Sequence, residues 1–316
     1  MDTKEFKEFI EYLESKDLAK STQKEYLKKT MLFLEWIKKE DLQVTKPDVL
    51  KFLEYLKNNT GQHNAARQNY IIALNHYFTS LYERELIIKN PCAGLKIRGT
   101  NKKILYKIFT PEELEQLFDN YYELFVRNYD KTIHQQTTKP ANLSRQRNAL
   151  ALSILFNQAA TKTEIENIEL DDVDLIKATL KIRGSNKHKE RILPLKASQI
   201  GLLMHYLQNI RPKLLEYHAT EPNNLFLPLA KDCEKGTNHA ILRYMFSVLL
   251  NQIKTIDKQF INFHQIRASV ITFWIKTQGL RKAQYLAGHT QIMSTEKYLQ
   301  NNLDGLIDDI NKLHPF

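Results

Sequence analysis

The sequence has little cysteine and little glycine, and both shortages exclude classes of protein. Only two of the 316 residues are cysteines, without the paired spacing of a zinc site, so neither a disulfide framework nor structural zinc is expected. The nine glycines form no loop of the kind that cradles nucleotide phosphates. No apolar run approaches the roughly 18 residues of a membrane helix. Because the chain also starts with polar residues, we expect a cytoplasmic protein without a membrane partner.

The chain carries an excess of positive charge. It contains 46 lysines and arginines against 36 aspartates and glutamates, which gives a formal net charge of +10. The excess divides about equally between the parts on either side of residue 105. Such a balance favours a polyanionic partner, because lysine and arginine release counterions from a phosphate backbone. Both parts of the chain are therefore expected to contribute to the site for a polyanion.

Apolar residues at helical spacing dominate the first part of the chain, and residues 1–95 are predicted to form a helical bundle. Residues 96–108 are predicted to be a basic linker, and residues 109–316 a second domain. Exposed polar and basic residues of the bundle and linker either contact a nucleic-acid duplex or form an ordinary solvated face. The candidates for duplex contact are Lys20, Thr22, Lys24, Asn64, Arg67, Lys96 and Arg98.

The second domain is predicted to be mainly helical with one small antiparallel sheet. Thr110, followed by proline and by glutamate at the third position, indicates a capped helix start, and residues 129–143 indicate a polar loop. Alternating residues at 179–183 and 190–195 predict a hairpin, to which residues 172–174 could add an edge strand. The pair Arg211-Pro212 predicts a helix stop. The fold class is therefore mainly α with a small antiparallel β-sheet, in two domains.

Near the C-terminus, four residues suited to phosphodiester chemistry follow one another in short motifs. His264 and Arg267 lie three residues apart, Gly288-His289 follows, and Tyr298 comes nine residues after the histidine. An arginine can bind the non-bridging oxygens of a phosphodiester, and histidines can move protons or stabilise the transferring phosphoryl group. A tyrosine can attack the phosphorus. Each residue type alone is more often packed in a core or solvated, so only the combination of the four indicates phosphodiester chemistry.

This combination resembles the tyrosine recombinase (phage integrase) family over nearly the whole chain. The family's H-x-x-R box corresponds to His264 and Arg267, and its L-G-H box with the later nucleophilic tyrosine corresponds to His289 and Tyr298. The hairpin at 187–195 resembles the family's G-K-G-x-K-x-R-x-x-P-L turn, from which a lysine enters the active site. The first half resembles the family's core-binding domain. The resemblance implies a helical-bundle core-binding domain and a mixed catalytic domain.

Two positions depart from the family pattern. The family's first arginine, in a T-G-L-R-x-x-E-L run, corresponds to Thr161, and the adjacent Lys162 is a partial substitute because it is turned by about 100° along a helix. A missing preorganised cation at a transferring phosphate costs roughly 100- to 1000-fold in rate. Gapless alignment of the hairpin puts Asn186 at the lysine position and Lys187 one residue later. Because hairpin tips vary in length, we take Lys187 as the candidate.

The resemblance implies a specific reaction with specific partners. Tyr298 attacks a DNA phosphodiester and forms a 3′-phosphotyrosyl link, while Arg267, His264 and His289 act on the phosphate and Lys187 protonates the leaving 5′-oxygen. Neither a cofactor nor a metal is implied. The partner is double-stranded DNA, on which the monomer assembles as a homo-tetramer. The helix predicted at 303–313 either packs on its own domain or docks on a neighbouring protomer.

Two main functions remain open at this stage, and a site-specific type IB topoisomerase or resolvase is a minor third. The first is an active site-specific recombinase or integrase, a DNA strand transferase serving a mobile element. The second is a catalytically impaired family member that binds DNA and regulates or assists a partner. Retention of the four residues in the H-x-x-R, G-H and tyrosine motifs favours the first function, and Thr161 favours the second.

Overall fold

A computed structural model of the chain describes residues 3–99, 107–128, 138–185, 188–218, 221–229 and 238–299. The chain divides into two compact units, 1–104 and 105–316. No helix in the described ranges is both long enough and apolar enough to cross a membrane. The fold is mainly helical with one small antiparallel sheet, as predicted.

The described residues of the first unit form four α-helices around an aromatic core. They are α1 (Thr3–Ser15), α2 (Lys20–Ile37), α3 (Lys46–Asn58) and α4 (Asn64–Glu83). Phe33 is fully buried and makes edge contacts with the rings of Phe52 and Phe78. Edge-to-face aromatic pairs stabilise such a core by about 0.5–1.5 kcal/mol each beyond the area they bury. The predicted helical bundle is therefore confirmed for this unit.

The second unit contains nine described α-helices and a sheet. The helices are α5 (Pro111–Tyr122), α6 (Thr138–Gln158), α7 (Lys162–Glu166), α8 (Ala197–His205), α9 (Arg211–Leu215), α10 (Asn238–Ile256), α11 (Phe263–Gln278), α12 (Leu280–Ala287) and α13 (Ile292–Glu296). Most of α6 and α11 is buried on every side, as expected for helices that run through a core. Because α11 packs against α5, α6 and α12, side chains on it are held in place from several directions.

The sheet has three antiparallel strands in the order β1-β2-β3. They are β1 (Val173–Asp174), β2 (Thr179–Ile182) and β3 (Arg191–Pro194). Leu180 pairs with Val173 on one side and with Leu193 on the other. Residues alternate between buried and exposed along β3, with Arg191 at a buried position. The predicted hairpin and edge strand are confirmed.

Two local predictions in the second unit are wrong, while one helix start is right. Part of the segment predicted as a polar loop is helical, since α6 begins at Thr138. Arg211 does not end a helix, because Pro212 lies in the first turn of α9, where its missing N–H costs nothing. The start of α5 is confirmed, with Thr110 and Glu113 forming a reciprocal capping box.

Candidate active site

Arg267 is the centre of the candidate site. It lies in the second turn of α11 and is 4 % exposed. The side chain of Asn262 caps this helix by accepting a hydrogen bond from the N–H of Gln265. The guanidinium of Arg267 donates to the carbonyl oxygens of Ala159 and, at 2.7 Å, of Ala287. Two chain segments far apart in sequence thus fix the orientation of the guanidinium, whose remaining N–H groups stay available to other partners.

His289 lies directly against Arg267. Nη2 of Arg267 is 3.2 Å from Nε2 of His289, and Nδ1 of His289 is 2.9 Å from Oγ1 of Thr295. Because a guanidinium can only donate, Nε2 must accept, which puts the proton of a neutral imidazole on Nδ1, where it is donated to Thr295. Burial and the charge of Arg267 lower the pKa of His289 to about 4. His289 is therefore neutral at pH 7 in the DNA-free protein.

The ring of Tyr298 contacts the rings of both histidines. Its ring stacks on that of His289 with centroids 5.8 Å apart and planes 6° apart, and it meets the ring of His264 at 6.2 Å. Tyr298 also interacts electrostatically with Arg267, so a cation lies near the phenol. Burial and the charge of Arg267 lower the pKa of His264, which favours a neutral imidazole able to accept a proton. The four predicted residues of the C-terminal motifs are therefore brought together in one cluster.

A buried ion pair borders this cluster. Arg191, which is 1 % exposed, donates to both carboxylate oxygens of Glu164, at 2.7 Å and 3.2 Å. Glu164 also lies 3.9 Å from the guanidinium of Arg267. Burial opposes ionisation of Glu164, but the hydrogen bonds and charge of Arg191, the N–H of Thr161 and the charge of Arg267 together lower its pKa. One carboxylate thus balances two buried arginines.

The hairpin between β2 and β3 is joined by backbone contacts to Gly288 and His289, which we call the Gly-His turn. The N–H of Lys189 donates to the carbonyl of Gly288 at 2.7 Å, and His188 and His289 form an isolated β-bridge. Gly288 has φ of +70°, and a Cβ there would lie 2.7 Å from Nη1 of Arg191. Both the left-handed backbone and this close approach require glycine. The side chain of His188 consequently lies at the site, with its ring 6.0 Å from that of His289.

Thr161 begins α7 beside the site. Its hydroxyl accepts from the N–H of Glu164 at 3.2 Å, and its own N–H donates to Glu164 at 2.7 Å, so the two residues form a capping box. Thr161 is therefore connected to Arg267 through a shared carboxylate. The side chain of Lys162 is exposed on the next position of the helix. The predicted hairpin lysine, Lys187, lies outside the residues that the structure describes.

The candidates for duplex contact lie on two parts of the first unit. Asn64, at the start of α4, donates to the carbonyl of Arg98 at 2.8 Å and accepts from Arg67 at 2.8 Å. The beginning of the predicted linker is thereby attached to α4, and Lys96 is exposed beside it. The remaining three candidates lie on the first turns of α2, with Lys20 and Lys24 exposed and Thr22 half-buried.

Sequence reasoning missed three side chains of the site, namely Glu164, Arg191 and His188. A signal existed for two of them. Thr161 and Glu164 have the same spacing as the capping pair Thr110 and Glu113, and Arg191 occupies an inward position of an alternating strand, where a cation needs a buried partner. For His188 the sequence offered no comparable signal, because its position depends on the contact between the hairpin and the Gly-His turn.

The cluster offers the groups that phosphoryl transfer requires. It combines an oriented guanidinium, two neutral imidazoles and a phenol within contact of one another. In the described ranges, no group of three or more histidine, cysteine, aspartate or glutamate side chains is placed to hold a metal ion. The side chains present can therefore bind a phosphate, attack it and move protons.

The neutral state of His289 predicts a loss of stability in mild acid. Its pKa of about 4 lies below the ordinary histidine pKa of 6.5, so between these pH values the unfolded chain binds a proton that the folded chain does not. Unfolding free energy should therefore fall as pH drops through this window, by about 1–2.5 kcal/mol at pH 4.5. Urea titrations monitored through Trp274, in a Trp36→Phe background, measure this effect.

A matched pair of variants tests the assignment. In His289→Gln the dependence of stability on pH over this window should flatten, whereas replacement of the exposed His205 by glutamine should leave it unchanged. An unaltered slope in His289→Gln would show that another group causes the loss.

Comparison with known proteins identifies the relatives of the chain. Residues 108–304 match the model of the phage integrase family, and residues 6–88 match that of the phage integrase N-terminal SAM-like domain. The chain is 26% identical to tyrosine recombinase XerC of Oceanobacillus iheyensis, over 97% of this chain and 94% of that protein.

Among solved structures, the fold is similar to that of a lambda integrase fragment in a dimer bound to a COC′ core site, with a TM-score of 0.63, 12% identity and coverage of 95% of both chains. It is also similar to the XerH site-specific recombinase bound to a palindromic difH substrate, with a TM-score of 0.60, 20% identity and coverage of 90% of this chain and 77% of that one. Because the first of these family models covers more than half of the sequence, the chain belongs to the phage integrase family.

Proposed function

We propose that this protein is a site-specific DNA recombinase that cleaves and rejoins duplex DNA through a 3′-phosphotyrosyl intermediate on Tyr298, in the service of a mobile element. The observation that carries the proposal is the contact of Tyr298 with Arg267, His289 and His264 in one cluster, in which all but His264 are buried. Each of these side chains can serve a step of phosphoryl transfer.

Each of the four residues has a distinct role in this reaction. Arg267 binds a non-bridging oxygen and stabilises the charge that develops on phosphorus. His264 accepts the proton of Tyr298 as the phenol oxygen attacks. His289 is neutral without DNA, but a phosphate anion beside it favours the imidazolium form, which then donates to a phosphoryl oxygen. The bond energy is retained in the phosphotyrosine, so rejoining requires no nucleotide cofactor.

The partner in this proposal is double-stranded DNA. The fold neighbours named above include an integrase and a recombinase that are bound to DNA in their structures, and the net charge of +10 favours the same polyanion here. Asn64, Arg67 and the exposed lysines of the first unit are the proposed contacts. Exchange of strands between two sites takes place in the cytoplasm and requires four protomers, which assemble on DNA from monomers.

A second function is favoured by one observation. Thr161 stands where the resemblance places an arginine, and a protein lacking that cation would bind DNA without cleaving it efficiently. Such a protein would regulate or assist an active recombinase. The two functions differ in whether a covalent complex with DNA forms.

A nicked suicide substrate distinguishes the two functions. Duplexes that bind the full-length protein are first selected from a random-sequence pool. They are then nicked next to the cleavage position, so that the short cleavage product diffuses away and the covalent adduct is trapped. Wild-type protein should form a covalent complex, and Tyr298→Phe should form none while binding DNA equally well. Specific binding without an adduct in the wild type would favour the regulatory function, and absence of specific binding would contradict both functions.

A further inference from the structure

The short helix α13 turns a threonine inward and leaves its apolar residues nearer the surface. Thr295 is 0% exposed, whereas Ile292 is half-buried and Met293 is 64% exposed. Burial of an apolar side chain stabilises a fold, but burial of a hydroxyl costs free energy unless the hydroxyl has a hydrogen-bond partner. The inward position of Thr295 therefore indicates that its hydroxyl serves a purpose other than hydrophobic packing.

The hydroxyl of Thr295 contacts the ring of His289. Oγ1 of Thr295 lies 2.9 Å from Nδ1, and Nη2 of Arg267 lies 3.2 Å from Nε2 of the same ring. Because the guanidinium donates to Nε2, the proton of the neutral imidazole is on Nδ1, and Thr295 accepts it. The two contacts together fix one tautomer and one orientation of the ring.

The backbone of Thr295 also holds the proposed nucleophile. Its carbonyl accepts a hydrogen bond from the N–H of Tyr298 at 3.0 Å. The ring of Tyr298 stacks on the ring of His289, with planes 6° apart. Thr295 thus contacts two residues of the cluster, one through its hydroxyl and the other through its carbonyl.

Resting on the proposed function, we propose that Thr295 is a positioning residue that holds His289 with Nε2 towards the phosphoryl oxygen bound by Arg267. The hydroxyl accepts the Nδ1 proton of the neutral ring and equally that of the imidazolium, so the contact persists when DNA changes the charge of His289. Thr295 exchanges no proton with the substrate and acts only through the histidine.

The location of the ring proton tests this role in the DNA-free protein. In protein that carries isotope-labelled histidine, proton–nitrogen correlation NMR identifies which ring nitrogen bears the proton, and His289→Ala assigns the signal of His289 by its loss. The neutral ring of His289 should bear its proton on Nδ1. A proton on Nε2 would make Thr295 the donor of this hydrogen bond and would overturn the proposal.

Two substitutions of Thr295 separate the effect of the hydroxyl from that of side-chain shape. Valine keeps the β-branched shape and lacks the hydroxyl, whereas serine keeps the hydroxyl. At metal-binding histidines, loss of the partner that orients the ring costs about 10- to 100-fold, and we expect the same order here. Thr295→Val should therefore form the covalent adduct about 10- to 100-fold more slowly at unchanged DNA affinity, and Thr295→Ser should react at close to the wild-type rate.

A double-mutant cycle shows whether Thr295 acts through His289. If it does, adding Thr295→Val to His289→Ala should not slow adduct formation further. Thr272 provides the matched control, since it is 3% exposed on α11 and its Oγ1 has no hydrogen-bond partner among the residues that the structure describes. Thr272→Val should react as wild type, and thermal melting verifies that all variants fold.

Three kinetic results would overturn the proposal: an undiminished rate in Thr295→Val, an equal loss in Thr295→Ser, or the full effect of valine in the His289→Ala background. Failure of the wild type to form an adduct would instead contradict the proposed recombinase function. Because the NMR measurement needs no DNA, it still decides which nitrogen of His289 bears the proton in that case, so the two failures are distinguishable.

Discussion

Replacing Glu164 by glutamine is expected to lower the free energy of unfolding of the second unit by about 3–5 kcal/mol, the cost of breaking a buried ion pair on one side. Arg191 is 1 % exposed, and in the described part of the chain its Nε has no hydrogen-bond partner. Glu164 forms a bidentate ion pair with Arg191, which compensates for the burial of that arginine. The same carboxylate lies near the guanidinium of Arg267. A neutral amide removes the carboxylate charge that both cations share.

The chain contains a matched control for this prediction. Glu113 forms the same reciprocal capping box with Thr110 but has 39% of its side chain exposed and pairs with Lys107. Glu113→Gln should therefore cost no more than about 1 kcal/mol, as for an exposed ion pair and a partial cap. Urea titrations of both variants, monitored through Trp274, make the comparison. Equal losses would mean that the cap, rather than the buried charge, carries the effect of Glu164.

Replacing Thr161 by arginine is expected to accelerate cleavage by about 100- to 1000-fold, since a preorganised cation at a transferring phosphate contributes about that much. Thr161 shares Glu164 with Arg267, so a guanidinium at position 161 starts next to the cluster. The same change removes the hydroxyl that caps α7, which costs about 1 kcal/mol of stability. Single-turnover cleavage of the nicked substrate measures the gain in rate, and thermal melting measures the loss.

Two further substitutions separate these effects. Thr161→Ala loses the cap without adding charge, so it should be destabilised and cleave no faster than wild type. Thr161→Lys adds a point charge without a bidentate fork and should gain less than arginine. An unchanged rate in Thr161→Arg with intact folding would show that position 161 is not the arginine position, and the alignment of this region would then be wrong.

Much of the architecture was predictable because it depends on local signals. The capping box at Thr110 and the alternation around β3 are properties of a few adjacent residues, and both appear in the structure as predicted. The start of α6 at Thr138 was missed because its first turn carries polar residues within a segment that has no apolar periodicity. Pro212 was misinterpreted because proline is compatible with both the end and the first turn of a helix.

The candidate site was predictable only where its residues occur in short motifs. His264, Arg267, His289 and Tyr298 lie within one C-terminal stretch, and the structure brings them together. Glu164 and His188 join them through contacts between distant segments; the spacing of Thr161 and Glu164 indicates a helix cap, but no local pattern encodes these long-range contacts. The carbonyl of Ala159 is a further example, since it meets Arg267 at the end of α6, where the alanine has φ of 48°.

The most direct test of the proposed chemistry is to locate the DNA on the protein. Tryptic digestion after Lys297 and Lys312 releases residues 298–312, a peptide whose single tyrosine is Tyr298. After adduct trapping and nuclease digestion, mass spectrometry should find this peptide carrying a nucleotide through a 3′-phosphate. A nucleotide on another residue, or a trapped complex in which this peptide is unmodified, would contradict the assignment of Tyr298 as the nucleophile.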